Sequence, residues 1–289
     1  MTSPQEMLQT FDQRLRSASA LGFPQDVEIH DDGRVIRVSG TSHGTFIVTT
    51  GSLDLSPAET REIVSSQVRC LRKDGSNAEW KTYGHDLPAE LPALLAEAGF
   101  EAGDQETLVI GRIAALSRIR SEAAAGVVIR RTVDPEDMRR IAVMKAEVWG
   151  REFPHLAGDL AARAASRPET TAVFVAEAGG RIVSAAWLEL CPGTGFAGLW
   201  GGSTLPEWRG KGIYRTLVAA RARLAAERGY EFLQVDCTED SRPILERLGL
   251  LAVSTTTPYL WTPGAGNAGF QQKIPGHLLP GSRGFSTLR

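Results

Sequence analysis

The stretch Pro206 to Tyr214, PEWRGKGIY, puts two glycines and two cations where a long amphipathic helix is about to begin. The first backbone N–H groups of a helix lack intrahelical acceptors, which is why Ser, Thr, Asp or Asn usually precede them. No such cap stands before Ile213. Either water solvates those donors, as in a surface turn that merely enters a helix, or they are kept for an anion. Gly210 and Gly212 let a ligand approach the backbone closely, and Arg209 and Lys211 add positive charge. The chemistry that fits is pyrophosphate binding. Two other phosphate motifs fail on inspection: a P-loop needs Ser or Thr after its lysine and a glycine at 205, but Gly212 and Leu205 stand there. A dinucleotide fingerprint needs glycine at 215, which is Arg215.

The rest of the chain bounds the possibilities. Its 289 residues suggest two domains, and 42% hydrophobic with 23% charged residues is ordinary for soluble protein. A net charge of −2, without a long basic run, gives no footprint for nucleic acid or an anionic membrane. Cys70, Cys191 and Cys237 are scattered and odd in number, so neither a metal cluster nor a disulfide framework is expected. The first residues lack the apolar core of a signal peptide, and no apolar run reaches membrane-spanning length. A cytoplasmic location is the expectation.

The elements that must position the motif follow from periodicity. A short helix and a loop at Gly22-Phe23-Pro24 open the chain. Strands are expected at 27–29, 35–38 and 45–49, parted by Asp-Asp-Gly and Ser-His-Gly turns. Then come helix 57–71, strand 79–83, helix 88–98 and strand 107–110. Residues 114–126 read as a linker. Beyond it lie strand 127–132, helices 135–149 and 156–166, and strands 171–177, 181–190 and 196–205. Ile213, Leu217, Ala220 and Leu224 then mark one face of a helix, which stops at Gly229. Strand 231–237, helix 241–248 and strand 251–261 follow, with an irregular tail from 262. The domains expected are 1–113 and 127–262, joined by 114–126, with the tail at 263–289.

The two halves share an order of elements, and their short second helices end alike, LLAEAGF at Gly99 and ILERLGL at Gly249. They read as two copies of one mixed α/β fold. The copies differ at the start of the long helix. The first has Ser56-Pro57-Ala58-Glu59, a capping box with proline at its first helical position; the second has Arg209-Gly210-Lys211-Gly212, with no acceptor. One end is closed and the other is open.

Arg209 to Tyr214, after a strand and at the mouth of a long helix, resembles the (Q/R)xxGx(G/A) signature of the GNAT superfamily of acyl-CoA-dependent N-acyltransferases. Pro206 and Leu217 fit as well, whereas Tyr214 replaces the final small residue. The resemblance runs from Val127 to Trp261 in element order, and AEWKTYGHDLP…LLAEAGF looks like the first half of tandem bacterial members. It implies a mixed, mostly antiparallel sheet flanked by helices, in two GNAT-like domains, the first degenerate and without the CoA motif. It also implies acetyl-CoA as cosubstrate, with pantetheine along Ser203, Thr204 and Leu205. The pyrophosphate would lie on Gly210, Lys211, Gly212, Ile213 and Tyr214, beside Arg209.

Catalytic residues carry over less completely. The tyrosine that often serves the family as general acid is Leu245 here, leaving Tyr214 and Ser241 as substitutes, although Ser241 also fits a helix cap. Glu189 and Asp236 are candidate general bases, each with a plain structural alternative. His155 lies where the family shapes its acceptor pocket, but a lone loop histidine also fits plain surface. Trp149, Phe153, Trp187 and Trp200 are candidate pocket walls or core, and Cys237 reads as a small buried hydrophobe. The resemblance implies acetyl transfer to a primary amine of a small molecule or peptide, by direct attack and without a metal. A non-catalytic acyl-CoA sensor or protein-interaction module is the alternative. A small-molecule amine acceptor is the expected partner, nucleic acid and membrane are not expected, and a homodimer is left open.

Overall fold

The computed structural model describes residues 3–17, 19–20, 27–41, 44–121 and 124–264. The loop at Gly22-Phe23-Pro24, His43 of the second turn and most of the tail lie outside the described residues. In chain order the elements are α1 (Pro4–Leu15), β1 (Glu28–Asp31), β2 (Val35–Thr41), β3 (Gly44–Thr49), α2 (Pro57–Asp74), β4 (Ala78–Tyr83), α3 (Leu91–Glu97), β5 (Glu101–Ala102), β6 (Glu106–Arg112) and α4 (Ile113–Leu116). There follow β7 (Val127–Thr132), α5 (Pro135–Trp149), α6 (Leu156–Ser166), β8 (Thr171–Ala178), β9 (Arg181–Cys191), β10 (Phe196–Thr204), α7 (Ile213–Glu227), β11 (Phe232–Cys237), α8 (Arg242–Arg247) and β12 (Leu251–Trp261). Among the described residues no helix is long and apolar enough to cross a membrane, and no group of His, Cys, Asp or Glu is placed to hold a metal ion.

Two compact units emerge, and they cut the chain differently from the boundaries expected at 113 and 127. Among the described residues, one unit holds 8–106 with 254–264, and the other holds 107–253 with 3–7. Strand pairing is the physical reason. β6 pairs antiparallel with β11, Leu108 facing Asp236, so it completes the sheet of the second unit. Residues 256–261 of β12 pair antiparallel with β4, completing the sheet of the first.

Within the first unit the strands run β1-β2-β3-β4-β12, and only β3 and β4 are parallel. Within the second the order is β6-β11-β10-β9-β8-β7, and only β10 and β11 are parallel. A parallel neighbour requires a crossover connection; α2 supplies it in one unit and α7 in the other. The repeat read from the sequence is therefore present, with a long helix joining the one parallel pair of each sheet. Each unit has its own core: Val35, Ile47, Leu71, Trp80 and Trp261 in the first, Met138, Val175, Trp187, Leu217 and Leu233 in the second.

The contrast between helix starts is also present. In α2 the Ser56 N–H donates to Glu59 Oε2 at 2.9 Å and the Glu59 N–H donates to Ser56 Oγ at 3.4 Å. Gly75, left-handed at φ 63°, ends the helix. Ser56→Ala is expected to lower stability in urea denaturation by about 1 kcal/mol. CoA titrations should be unchanged, because that cap belongs to the unit without the open helix end. A larger loss than about 2 kcal/mol would mean the cap is not the mechanism.

Candidate functional site

β10 and β11 form a V. They pair in parallel only from Phe196 to Gly198, against Phe232 to Gln234, while β10 continues to Thr204 and β11 to Cys237. The closed end is fixed by Phe196 and Phe232, whose rings stack with centroids 4.8 Å apart. Because those rings share a face, the two-residue alternation of strands puts Trp200 and Asp236 on it too.

The divergence coincides with a bulge. Trp200 faces Trp187 of β9, but the next paired residue, Ser203, faces Ala185, so one extra residue is inserted into β10. Gly201 takes it up at φ 66°, and a side chain there would overlap the Trp187 ring. Tyr214 reaches the same place from α7: a Cβ on Gly202 would come 2.9 Å from its ring. The bulky residue that departs from the family signature thus packs against the bulge, and a glycine at 202 makes room for it.

α5 and α6 pack on each other and cover the face carrying Trp187. α7 packs on β8, β9 and β10 and covers the other face: a side chain on Gly201 would meet Trp187, whereas one on Gly202 would meet Tyr214 of α7. The chain leaves β10 through Leu205 and a short 3-10 turn, Pro206–Trp208, and enters α7 by way of Arg209 to Gly212. Gly212 is the N-cap, left-handed at φ 75°, and offers no side-chain acceptor. Among the described residues nothing accepts from the N–H groups of Gly210, Lys211, Gly212 or Ile213. Lys211 Nζ sits 4.4 Å from the centre of the Trp208 ring, a cation held beside the open helix end. Arg209 Nε donates to the Thr204 carbonyl at 3.2 Å, tying the loop to the last residue of β10.

Ser203 and Thr204 are buried on the diverging part of β10, and Leu205 is closed into the core, its N–H donating to the Val183 carbonyl. Ser203 Oγ accepts from Lys145 Nζ at 3.0 Å and Trp149 Nε1 at 3.3 Å. Trp149 and Phe153 lie at the α5–α6 junction with Trp149 half-buried and Phe153 in the core; Trp187 is core and Trp200 half-buried. His155 is exposed just before α6. Ser241 stands at the N-cap of α8, but its Oγ donates back to the Thr238 carbonyl at 3.2 Å instead of accepting from the helix. Leu245 and Cys237 are core.

The two candidate bases occupy different places. Asp236 is buried on the diverging part of β11, on the face of Trp200. Glu189 faces Gly198 at the closed end of the V and is engaged elsewhere: Thr171 Oγ1 donates to it at 2.7 Å and Arg163 stands 3.6 Å away. Burial pushes the Glu189 carboxyl above its ordinary range, against smaller opposing pulls from Arg163 and Thr171. The fold therefore holds that proton more tightly than the unfolded chain does. The stability this adds is fully present below the ordinary glutamate pKa of about 4.3 and is lost as pH rises through the folded value. In denaturation series at increasing pH, Glu189→Gln is expected to lose less stability above that point than the wild type; parallel curves would remove Glu189 as the titrating group. Next to it, burial and Glu189 together push the Cys191 thiol up to about 12, so no thiolate nucleophile is available there.

Sequence reasoning missed two residues of this site. Lys145 of α5 and Arg221 of α7 are both fully buried. The signal was present: Lys145 follows Met138 and Ile141 at helical spacing, and Arg221 stands between Leu217 and Leu224. Each is a cation on an apolar stripe.

Residues 136–250 match the sequence model of the acetyltransferase (GNAT) family. No curated protein matches the chain. Among solved structures, a GCN5-related N-acetyltransferase from Kribbella flavida is similar at a TM-score of 0.67 and 16% identity, over 91% of this chain and 97% of that one. A GCN5-related N-acetyltransferase from Sphaerobacter thermophilus gives 0.53 and 12%, over 79% and 80%. A tandem GNAT protein from the clavulanic acid biosynthesis pathway gives 0.53 and 14%, over 85% and 86%. At these identities the likeness is one of fold, and its span over most of each chain agrees with the two repeated units. The family match at 136–250 takes in both the open helix end and the V.

Proposed function

We propose that the protein transfers an acetyl group from acetyl-CoA to a primary amine of a small molecule or peptide. The observation that carries this reading is the start of α7, where four consecutive N–H groups meet no acceptor among the described residues and two cations stand beside them. Gly210 to Ile213 would hold the pyrophosphate, and the β10 edge at Ser203 to Leu205 would hold the pantetheine arm. The thioester would then lie in the V near Gly201 and Gly202. The amine attacks the thioester carbon, the C–S bond breaks, and a backbone N–H of the bulge stabilises the developing oxyanion. Asp236, on the diverging part of β11, would remove the amine proton, whereas Glu189 lies at the closed end of the V, away from Gly201 and Gly202. Tyr214, whose ring packs against Gly202, would return a proton to the departing thiolate. Incubation with acetyl-CoA and a panel of amines should give a 42 Da mass gain on the acceptor with release of free thiol.

Leu245, buried where the family often has its tyrosine, favours a second reading, a non-catalytic sensor of acyl-CoA. Tight CoA binding with no thiol release across the amine panel would favour the sensor. Thiol release with any amine excludes it.

A further inference from the structure

Burying a cation costs several kcal/mol even after relaxation, so a fully buried lysine or arginine calls for a reason. This unit buries one of each, and both end at the same bulge. From α5, Lys145 Nζ donates to the Gly201 carbonyl at 3.0 Å and to Ser203 Oγ at 3.0 Å. From α7, on the other face of the sheet, Arg221 Nη1 donates to the Trp187 carbonyl at 3.2 Å and to the Trp200 carbonyl at 3.5 Å, while its Nε donates to the Leu217 carbonyl at 3.1 Å. Among the described residues no carboxylate pairs with Arg221. Burial pulls its pKa down to about 10, with Tyr214 acting in the opposite sense, so it stays protonated at neutral pH. Satisfying carbonyls alone would need only neutral donors such as serine. Ser184 does that two residues beyond Gly201, donating to the Ser203 carbonyl at 2.7 Å.

We infer that Lys145 and Arg221 are positioning residues that fix the Trp200–Gly201–Gly202 peptides from opposite faces and charge them for oxyanion stabilisation. In a trans peptide the N–H points away from the carbonyl, so seizing two successive carbonyls sets where the following N–H groups point. A carbonyl that accepts from a cation also polarises its own peptide, which makes the N–H a better donor. Two positive charges in a low-dielectric site add a field that favours the negative charge of an acyl-transfer transition state. The side chains act through the backbone and need not touch the substrate.

The inference rests on the acetyl-CoA reading, and its test separates the two. The probe is acetyl-CoA labelled with carbon-13 at the thioester carbonyl, bound to the full chain and read by isotope-edited infrared spectroscopy. The wild type should shift the carbonyl band to lower wavenumber than free acetyl-CoA. Lys145→Met and Arg221→Met should each lose at least half of that shift, while their Kd for CoA stays within about threefold of wild type. A merely structural role would not divide the band from the affinity in this way. Where a methionine variant does not fold, Arg221→Lys is the reading: its shorter side chain should give a partial shift, and an unchanged band overturns the inference. Full shifts in folded methionine variants, or no shift in a wild type that binds, also overturn it. No binding of CoA to the wild type would overturn the donor assignment itself.

Discussion

Replacing Gly212 by glutamate will weaken CoA binding at least about 100-fold in calorimetric titrations. Each charge-assisted hydrogen bond from the open helix end to a phosphate contributes about 1.5 to 3 kcal/mol. The glutamate carboxylate would occupy these donors itself and repel the diphosphate, so losing the equivalent of two such bonds removes about 3 kcal/mol or more. At about 1.4 kcal/mol per tenfold, this gives the factor of 100. The backbone at 212 is left-handed at φ 75°, so any side chain there also strains the turn by roughly 1 to 2 kcal/mol. Thermal unfolding followed in parallel separates that strain from the loss of binding. A Kd within threefold of wild type would sink the assignment of the anion site.

The second large effect is expected at Gly201. An alanine there forces its Cβ into the Trp187 ring and must also adopt φ 66°. Overpacking costs typically 1 to 3 kcal/mol and the left-handed backbone another 1 to 2, so a loss of about 2 to 5 kcal/mol should appear in urea denaturation. Adding Trp187→Leu should recover the overlap and leave the backbone part, making the double variant more stable than Gly201→Ala alone. Were alanine tolerated at less than about 1 kcal/mol, the bulge would be a soft feature and could not hold a reacting group in place.

Much of this site is legible in the sequence because its signals are local. The uncapped start at Gly212 and the closed one at Ser56 both follow from side-chain types within a few residues, and the helices 135–149 and 156–166 fall where periodicity puts them. What was not legible depends on pairing across the chain. Strand β6 reads as the end of the first half, yet its partner is β11, more than a hundred residues on. Glu189 looks like a free strand-end carboxylate until α6 brings Arg163 beside it. Lys145 and Arg221 look like ordinary helix cations, because their targets are main-chain carbonyls that only the bulge of β10 presents.

The partners of β6 and β12 also decide when each unit can be finished. Thr82 of β4 meets Thr257 of β12, a separation of 175 residues, so the earlier unit waits until β12 has been synthesised. Until then β4 presents an unprotected edge, the kind of surface that recruits other strands. Closing so large a loop is slow, and its entropy must be met before the pairing returns anything. A cut in the segment between the halves, at 117–126, would leave β6 of the later unit on one fragment and β12 of the earlier unit on the other, so the halves are bound to fold as one polypeptide.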